Sequence, residues 1–273
     1  MKNNPNCFKV LHAGALRKPM KECIHILWER YPDLKVELDY AGSRACARAV
    51  AGGKIVDLIA LADYKVFEDI LIPRFVDTSF AFATDQMVLA FDEFSTHSEI
   101  INEDNWMDVL LNNSQIKYGR SDHHRDPCGY RTLMLWQLAE KFYNRPGLFK
   151  ALEDNWSNVY PKSFDLACAL LQGQVDYGFE YLSVAKQLNL KHIVFPPEIN
   201  LSDPRLADYY ARAKVVVDGS YPGLDTEITG TPIEFAIAIP KESNQKELAQ
   251  EFIDILTGSR GEEILEQNGL IPC

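Results

Sequence analysis

Residues 125–131 read Arg-Asp-Pro-Cys-Gly-Tyr-Arg, and this segment carries the signals of a helix whose first turn faces an anion. Asp126 is a preferred N-cap residue, and Pro127 suits the first helical position because its missing N–H needs no partner there. The amides of Cys128 and Gly129 would then point outward, where the helix dipole favours negative charge. The segment predicts either an oxyanion site or an ordinary capped helix.

Apolar residues after this segment recur at helical spacing, at Tyr130, Leu133, Met134, Leu138 and Phe142. Side chains three or four residues apart lie on one face of a helix. We therefore predict a helix with one buried face, which holds the candidate site rigidly.

The composition limits the possible partners. The chain has 273 residues, which is enough for a large core and, at ~100–200 residues per domain, for two domains. Its net charge of -11 argues against nucleic acid or an anionic membrane as the main partner. No apolar run approaches the ~18 residues of a membrane span.

The first residues and the cysteines give little information on location. Residues 1–7 lack the apolar core of a signal peptide, so we expect either a cytoplasmic protein or a mature segment whose signal was trimmed. The six cysteines are scattered and form no CxxC pair, which predicts neither a zinc site nor a small disulfide framework.

Strand and helix signals alternate along the chain. The predicted strands of its first part are residues 8–12, 34–40 and 56–62. Gly14 and Ala15 lie in the loop after the first strand, and Ser43 lies at the expected N-cap of the helix after the second strand. In a βαβαβ unit these loops line one edge of a parallel sheet, where open α/β sheets bind ligands.

A second α/β region begins at residues 116–119. Further predicted elements are helices at residues 163–173, 181–187 and 246–256, and strands at residues 86–91, 175–180, 214–217 and 231–239. This order predicts two α/β lobes, with residues 1–86 and 211–273 in lobe 1 and residues 87–210 in lobe 2. The chain has no Gly-rich phosphate loop of the GxxxxGK or GxGxxG type.

Several short motifs together resemble the molybdate/tungstate-binding proteins of archaeal type, which are receptors of ABC uptake systems. The motifs are residues 12–15, 41–43, 62–64, 126–131, 173 with 176–177, 181 with 183–187, and 199–201. They span nearly the whole chain in the family's order, and Asp-Pro-Cys-Gly-Tyr-Arg is the most distinctive of them. The resemblance implies a type II periplasmic-binding-protein fold, whose two lobes close on a tetraoxyanion in the cleft between them.

The resemblance also implies an oxyanion site at Gly14, Ala15, Ser43, Asp126, Pro127, Cys128, Ser163 and Tyr181. The chain departs from the family at two of these positions, where the family has serine instead of Ala15 and glutamate instead of Ser163. In the family, that glutamate and the aspartate at the position of Asp126 bind molybdenum or tungsten directly, which makes the metal six-coordinate. Because Ser163 offers no carboxylate, we expect a tetrahedral ion held by hydrogen bonds, unless Glu180 or Asp165 replaces the glutamate.

Two further residues are candidates for the site. Arg44 adds a positive charge beside Ser43 and would form charge-assisted hydrogen bonds, although a solvated arginine at a helix start is the alternative. Gly129 would contribute its amide.

The remaining polar residues suggest weaker alternatives. His123 and His124 with Asp126 and Cys128 have the right types for a transition-metal site, but adjacent loop residues point in different directions. Cys128 at a helix start could be a nucleophile with a histidine base, but no third residue that would orient the base is evident. We expect no cofactor and no free metal cation, with Asp126 at most a ligand to the metal of the oxyanion.

The sequence therefore predicts a non-catalytic receptor for molybdate or tungstate, which delivers the ion to a membrane ABC permease. We expect a monomer in the periplasm or at the cell surface. The alternatives are a receptor for another tetrahedral anion, such as sulfate, phosphate or arsenate, and a Cys128-dependent enzyme on the same fold.

Overall fold

The structure is a computed structural model that describes residues 7–154, 158–219 and 223–273. Within these ranges no helix combines the length and the apolar character needed to cross a membrane. Residues 1–6, on which the expectation about a signal segment mainly depends, lie outside the described residues.

Strands and helices alternate through most of the chain. The strands are β1 Cys7–Ala13, β2 Lys35–Ala41, β3 Leu58–Leu61, β4 Phe80–Thr84, β5 Met87–Phe91, β6 Tyr118–Ser121, β7 Asn158–Tyr160, β8 Tyr177–Tyr181, β9 Lys191–Val194, β10 Lys214–Asp218, β11 Asp225–Thr229, β12 Glu234–Ala238 and β13 Ile271–Pro272. The helices are α1 Arg17–Arg30, α2 Ser43–Ala51, α3 Tyr64–Val66, α4 Trp106–Asn112, α5 Pro127–Phe142, α6 Leu148–Asp154, α7 Ser163–Leu171, α8 Leu182–Gln187, α9 Pro197–Asn200, α10 Ala207–Tyr210, α11 Lys246–Leu256 and α12 Ser259–Gln267. Short helical turns also occur at Gly14–Leu16, Phe67–Leu71 and Pro204–Leu206.

The chain divides into two compact units. Unit 1 comprises Met1–Thr84, Gly219–Leu224 and Glu234–Cys273, and unit 2 comprises Asp85–Asp218 and Asp225–Ile233. The first segment of the predicted lobe 1 ends at residue 86, two residues after the first segment of unit 1. The predicted lobe 1 also contains residues 211–218 and 225–233, whereas these residues lie in unit 2.

Side-chain bonds to α5 explain this difference. The Gln137 side chain donates to Lys214 O at 2.8 Å and accepts from Lys214 N at 3.0 Å, which holds β10 against the helix. The Arg131 guanidinium donates to the carbonyl oxygen of Thr231, after β11. Such links between distant residues leave no periodic signal in the sequence.

The sheet of unit 1 contains the predicted βαβαβ unit. Its strand order is β13-β4-β12-β3-β1-β2, and β1 pairs in parallel with both β2 and β3. The strand β3 is buried along its whole length, as its continuous apolar sequence predicts. Because the three strands are parallel, the loops that follow Ala13, Ala41 and Leu61 emerge at the same edge of this sheet.

The sheet of unit 2 has the order β7-β6-β8-β5-β9, and its central strand β8 is buried along its whole length. On one face, the Trp136 ring of α5 packs 5.3 Å from the ring of Phe179. On the other face, a Cβ at Gly178 would lie 3.1 Å from Leu170 and 3.2 Å from Leu166, so α7 packs directly against the strand. The two helices therefore enclose β8.

The helix α5 is more buried than the single predicted face. Twelve of its residues are buried, from Pro127 through Ala139 with the exception of Gln137. Phe142, which was predicted to face the core, is the last residue of the helix and is 39% exposed.

Candidate functional site

Asp126 joins the starts of two helices in unit 2. Its Oδ1 accepts a hydrogen bond from Cys128 N at 3.0 Å, which makes it the N-cap of α5, as predicted. Its Oδ2 accepts from Ser163 N at 2.8 Å, at the first residue of α7. Both oxygens of the buried carboxyl therefore hold backbone amides, and capping is the role of Asp126 that the structure shows.

The environment of Asp126 disfavours its negative charge. Burial raises its pKa to about 6, although the hydrogen bonds from Ser163 and Cys128 act in the opposite direction. Repulsion from Asp122 and Asp165 raises the pKa further. The carboxyl group thus gains its proton at a higher pH than an ordinary aspartate does, and a neutral group repels an incoming anion less than a carboxylate does.

Two amides that were expected to bind the anion have acceptors within the cap. Cys128 N donates to Asp126 Oδ1, and Gly129 N donates to Asp126 O at 3.0 Å. A Cβ at Gly129 would overlap the backbone of Ser121 and His123, so the glycine allows α5 to approach the preceding loop. Both amides and Pro127 thus build the helix start and are not outward-facing donors.

Tyr181 lies where β8 ends and α8 begins. It is fully buried, and burial raises its pKa well above 10. The hydroxyl group therefore keeps its proton and is suited to donate a hydrogen bond. Ser163 is also buried, at the first turn of α7.

The predicted residues of unit 2 lie close together. Ser163 N and Cys128 N both bond to Asp126, and the Cys128 thiol contacts the residue next to Tyr181, with its Sγ 3.6 Å from Glu180 Oε2. The structure thus brings together the helix starts of α5 and α7 and the end of β8.

The Cys128 thiol is not suited to be a nucleophile. It is fully buried, and burial raises its pKa well above 9, so the reactive thiolate is disfavoured. Its Sγ donates to Phe179 O at 3.5 Å.

The histidines of the same loop do not form a metal site. Burial lowers the pKa of His123 to about 4, and His124 Nδ1 lies 3.1 Å from Asp218 Oδ1. The part of the chain that the structure describes contains no group of three or more His, Cys, Asp or Glu residues arranged to hold a metal ion.

Ser43 occupies the corresponding edge of the unit 1 sheet. It is the first residue of α2, and Gly42 is the N-cap, one residue earlier than predicted. The reason is that Ser43 Oγ accepts from Ala62 N at 2.9 Å, after β3, instead of capping its own helix. Because the oxygen accepts this amide, its hydroxyl hydrogen is available to donate to a ligand. Gly14 and Ala15 lie at the same edge, in the buried turn after β1.

Arg44 is fully buried, so the alternative of a solvated arginine is wrong. Its Nη1 donates to Asp69 Oδ2 at 3.1 Å. Burial raises the pKa of Asp69, and the hydrogen bond from Arg44 lowers it. The guanidinium of the residue that follows Ser43 is thus buried and paired with Asp69.

Sequence reasoning missed two buried charged groups of unit 2. Asp85 Oδ1 accepts from Gln86 N at 2.7 Å and from Ser183 N at 3.3 Å, and burial raises its pKa to about 7. Arg131, in the first turns of α5, is buried against Thr231. The one available signal was a charged residue within or beside an otherwise apolar segment.

Comparisons with known proteins identify similar chains. Residues 8–271 match the family described as bacterial extracellular solute-binding protein. The chain is 39% identical over 263 residues to an uncharacterized solute-binding protein of Petrotoga mobilis, covering 95% of this chain and 82% of that protein. It is 31% identical over 290 residues to the molybdate/tungstate-binding protein WtpA of Pyrococcus abyssi, again covering 95% of this chain and 82% of that protein.

The structure also resembles the solved periplasmic molybdate-binding protein of Azotobacter vinelandii. The TM-score is 0.71 at 17% sequence identity, and the match covers 97% of this chain and 98% of that chain. The structural neighbours are type II periplasmic binding proteins, which confirms the predicted fold class.

Proposed function

Because the chain belongs to the bacterial extracellular solute-binding proteins, we propose that it binds molybdate or tungstate and delivers the ion to a membrane ABC permease. A relative named for these two ions is 31% identical over 95% of this chain, as the resemblance of the sequence motifs predicted. The family and the relatives are solute-binding proteins, so the chain is a binding protein and not a Cys128-dependent enzyme.

One observation carries the chemistry of the proposal. Ser43 Oγ accepts from Ala62 N, which fixes the oxygen at the sheet edge and leaves its hydrogen to donate. Fully ionised molybdate and tungstate accept hydrogen bonds and donate none, so their site has to consist of donors. Arg44, the next residue, adds positive charge to an otherwise acidic chain.

The residues that we propose for ligand binding are Gly14, Ala15, Ser43 and Arg44 in unit 1, and Ser163 and Tyr181 in unit 2. Asp126, Pro127, Cys128 and Gly129 support them by forming the start of α5. Because both oxygens of Asp126 accept backbone amides, we propose that the ion stays tetrahedral and is held by hydrogen bonds.

The family description supports a location outside the cytoplasm. We propose that the protein works as a monomer in the periplasm or at the cell surface, where it exchanges its ion with the permease.

A thermal-shift panel tests the ligand assignment. Tungstate, molybdate, sulfate, phosphate, arsenate, chloride and nitrate are compared at equal ionic strength, because a ligand that binds only the folded state raises the unfolding midpoint according to its affinity. Tungstate or molybdate should give the largest shift, and chloride and nitrate should give little. A clear shift with sulfate, phosphate or arsenate, and none with tungstate or molybdate, would show that the protein is a receptor for that other anion.

A further inference from the structure

The Glu180 carboxyl group has one oxygen that the fold does not use. Glu180 lies in β8 and is fully buried. Its Oε2 accepts from Tyr181 N at 3.3 Å and lies 3.6 Å from Cys128 Sγ. Its Oε1 is buried and has no hydrogen-bond partner among the described residues. Buried polar atoms nearly always have a partner, so this oxygen calls for an explanation.

The surroundings of Glu180 favour its neutral form. Burial raises its pKa well above 4.5, and repulsion from Asp126 and Asp85 adds to this effect. Among the cations of unit 2, Arg131 of α5 donates to Thr231, and Lys186 of α8 lowers the pKa of Asp85.

The hydrogen bonds indicate which oxygen carries the proton when Glu180 is neutral. Because Oε2 accepts from Tyr181 N, the proton of a neutral carboxyl group belongs on Oε1. Oε1 is then a donor without an acceptor. Glu180 precedes Tyr181 in β8, and the Cys128 thiol that lies 3.6 Å from the other oxygen, Oε2, is in the first turn of α5.

We propose that Glu180 is a further oxyanion-binding residue, which donates a hydrogen bond from its protonated Oε1 to the bound ion. The inference rests on the proposed function. An ionised carboxylate at this position would repel the oxyanion, whereas a neutral acid donates to it. The role differs from that of the family's metal-binding glutamate, whose position Ser163 occupies in this chain.

The proposal makes oxyanion binding depend on one proton. Above the pKa of Glu180, the site has to bind that proton together with the anion, so the affinity falls as the pH rises. Asp126 and Asp85 titrate nearby and contribute a pH dependence of their own. Tyr181 and Cys128 keep their protons because burial raises their pKa values well above the ordinary ones.

Two substitutions separate a neutral donor from an ionised ligand. Glu180→Gln keeps a donor of similar shape, and Glu180→Met removes it. Tyr118→Phe is the matched control, since it deletes a buried hydroxyl that donates to Leu152 O at 2.8 Å, at the opposite, amino end of a strand parallel to β8. Each variant is titrated with tungstate by calorimetry at about pH 6 and at about pH 9, a range that includes the pKa values of known buried glutamates.

At about pH 6, we expect the dissociation constant of Glu180→Gln for tungstate to lie within about threefold of the wild-type value. Glu180→Met should bind roughly 10- to 150-fold more weakly, which is the loss expected for a hydrogen bond to a charged group. Tyr118→Phe should bind as the wild type does. Between the two pH values the wild type should lose more affinity than Glu180→Gln, and this difference isolates the proton of Glu180 from those of Asp126 and Asp85.

Four results would overturn the inference. Wild-type affinity in Glu180→Met would show that Glu180 does not bind the ion. A loss of affinity in Glu180→Gln as large as that in Glu180→Met would show that the ionised carboxylate is required. Equal pH profiles of the wild type and Glu180→Gln would show that the proton of Glu180 does not contribute to binding. These profiles remain measurable if Glu180→Met does not fold. If the wild type itself binds neither tungstate nor molybdate, the proposed function fails and the inference fails with it.

Discussion

Replacing Ser43 with alanine should weaken both the binding of the oxyanion and the fold, for separate reasons. The substitution removes the oxygen that accepts from Ala62 N at 2.9 Å, and both residues are buried. An amide left unpaired in the interior costs ~1–3 kcal/mol of the free energy of unfolding. The bond to Ala62 spans 19 positions of the chain, so the sequence alone does not reveal it.

The effect of Ser43→Ala on binding follows from the lost donor. A hydrogen bond to a charged group contributes ~1.5–3 kcal/mol, so the dissociation constant for tungstate should rise roughly 10- to 150-fold. Calorimetry measures the affinity, and urea unfolding of the ligand-free protein measures the stability.

Ser243→Ala provides the control for the loss of a buried serine. Ser243 Oγ also accepts a backbone amide, from Gln245 at 3.1 Å, and it donates to Asp57 Oδ1 at 3.1 Å. Asp57 precedes β3, so this serine lies at the opposite edge of the unit 1 sheet. The control should lose a similar amount of stability and keep its affinity. If Ser43→Ala also keeps wild-type affinity, Ser43 has only a structural role and the reasoning is refuted.

Three further predictions concern Asp126 and the bound ion. Asp126→Ala leaves the amides of Cys128 and Ser163 without their acceptor, so it should lower the free energy of unfolding by roughly 2–4 kcal/mol. Urea titrations measure this change, and a loss below ~0.5 kcal/mol would show that the two hydrogen bonds of Asp126 do not stabilise the fold. The pKa of Asp126 is raised to about 6 in the folded state, above ~3.9 in the unfolded chain. Its contribution to the free energy of unfolding should therefore decline by at most ~3 kcal/mol as the pH rises from about 4 to about 6. Asp126→Asn should remove this pH dependence, and an unchanged pH dependence in this variant would contradict the raised pKa. X-ray absorption on the tungstate complex should find four oxygens around tungsten, and further oxygens at bonding distance would mean that a carboxylate such as Asp126 or Glu180 binds the metal.

The parts of the fold that the sequence predicted well have strong local patterns. The helix predicted at residues 246–256 is α11 with the same bounds, because its apolar residues recur at helical spacing. The strand β3 and the cap at Asp126 were also predicted, since a continuous apolar run and an Asp-Pro pair are local signals.

The strands that sequence reasoning missed lack such patterns. The short strands β9 and β13 are largely exposed or half-buried, and β4 begins with two exposed residues. Their structure depends on pairing with distant partners, as β13 pairs with β4. Propensity alone does not reveal this pairing.

The candidate site likewise has features that local sequence patterns predict and features that depend on distant contacts. The positions of Ser43 and Tyr181 at strand ends follow from the alternation of strands and helices. The second bond of Asp126, to Ser163 N, connects residues 37 positions apart, and the burial of Arg44 depends on Asp69. Because such contacts form only in the folded chain, the sequence could suggest the residues of the site but not which of their atoms the fold already engages.

A calorimetric titration of the ligand-free protein with tungstate tests the central claim most directly. The account predicts one ion bound per chain, with a dissociation constant well below the millimolar range, competition by molybdate and no competition by chloride or nitrate. If neither tungstate nor molybdate binds at millimolar concentration to protein that unfolds cooperatively, this result would contradict the account.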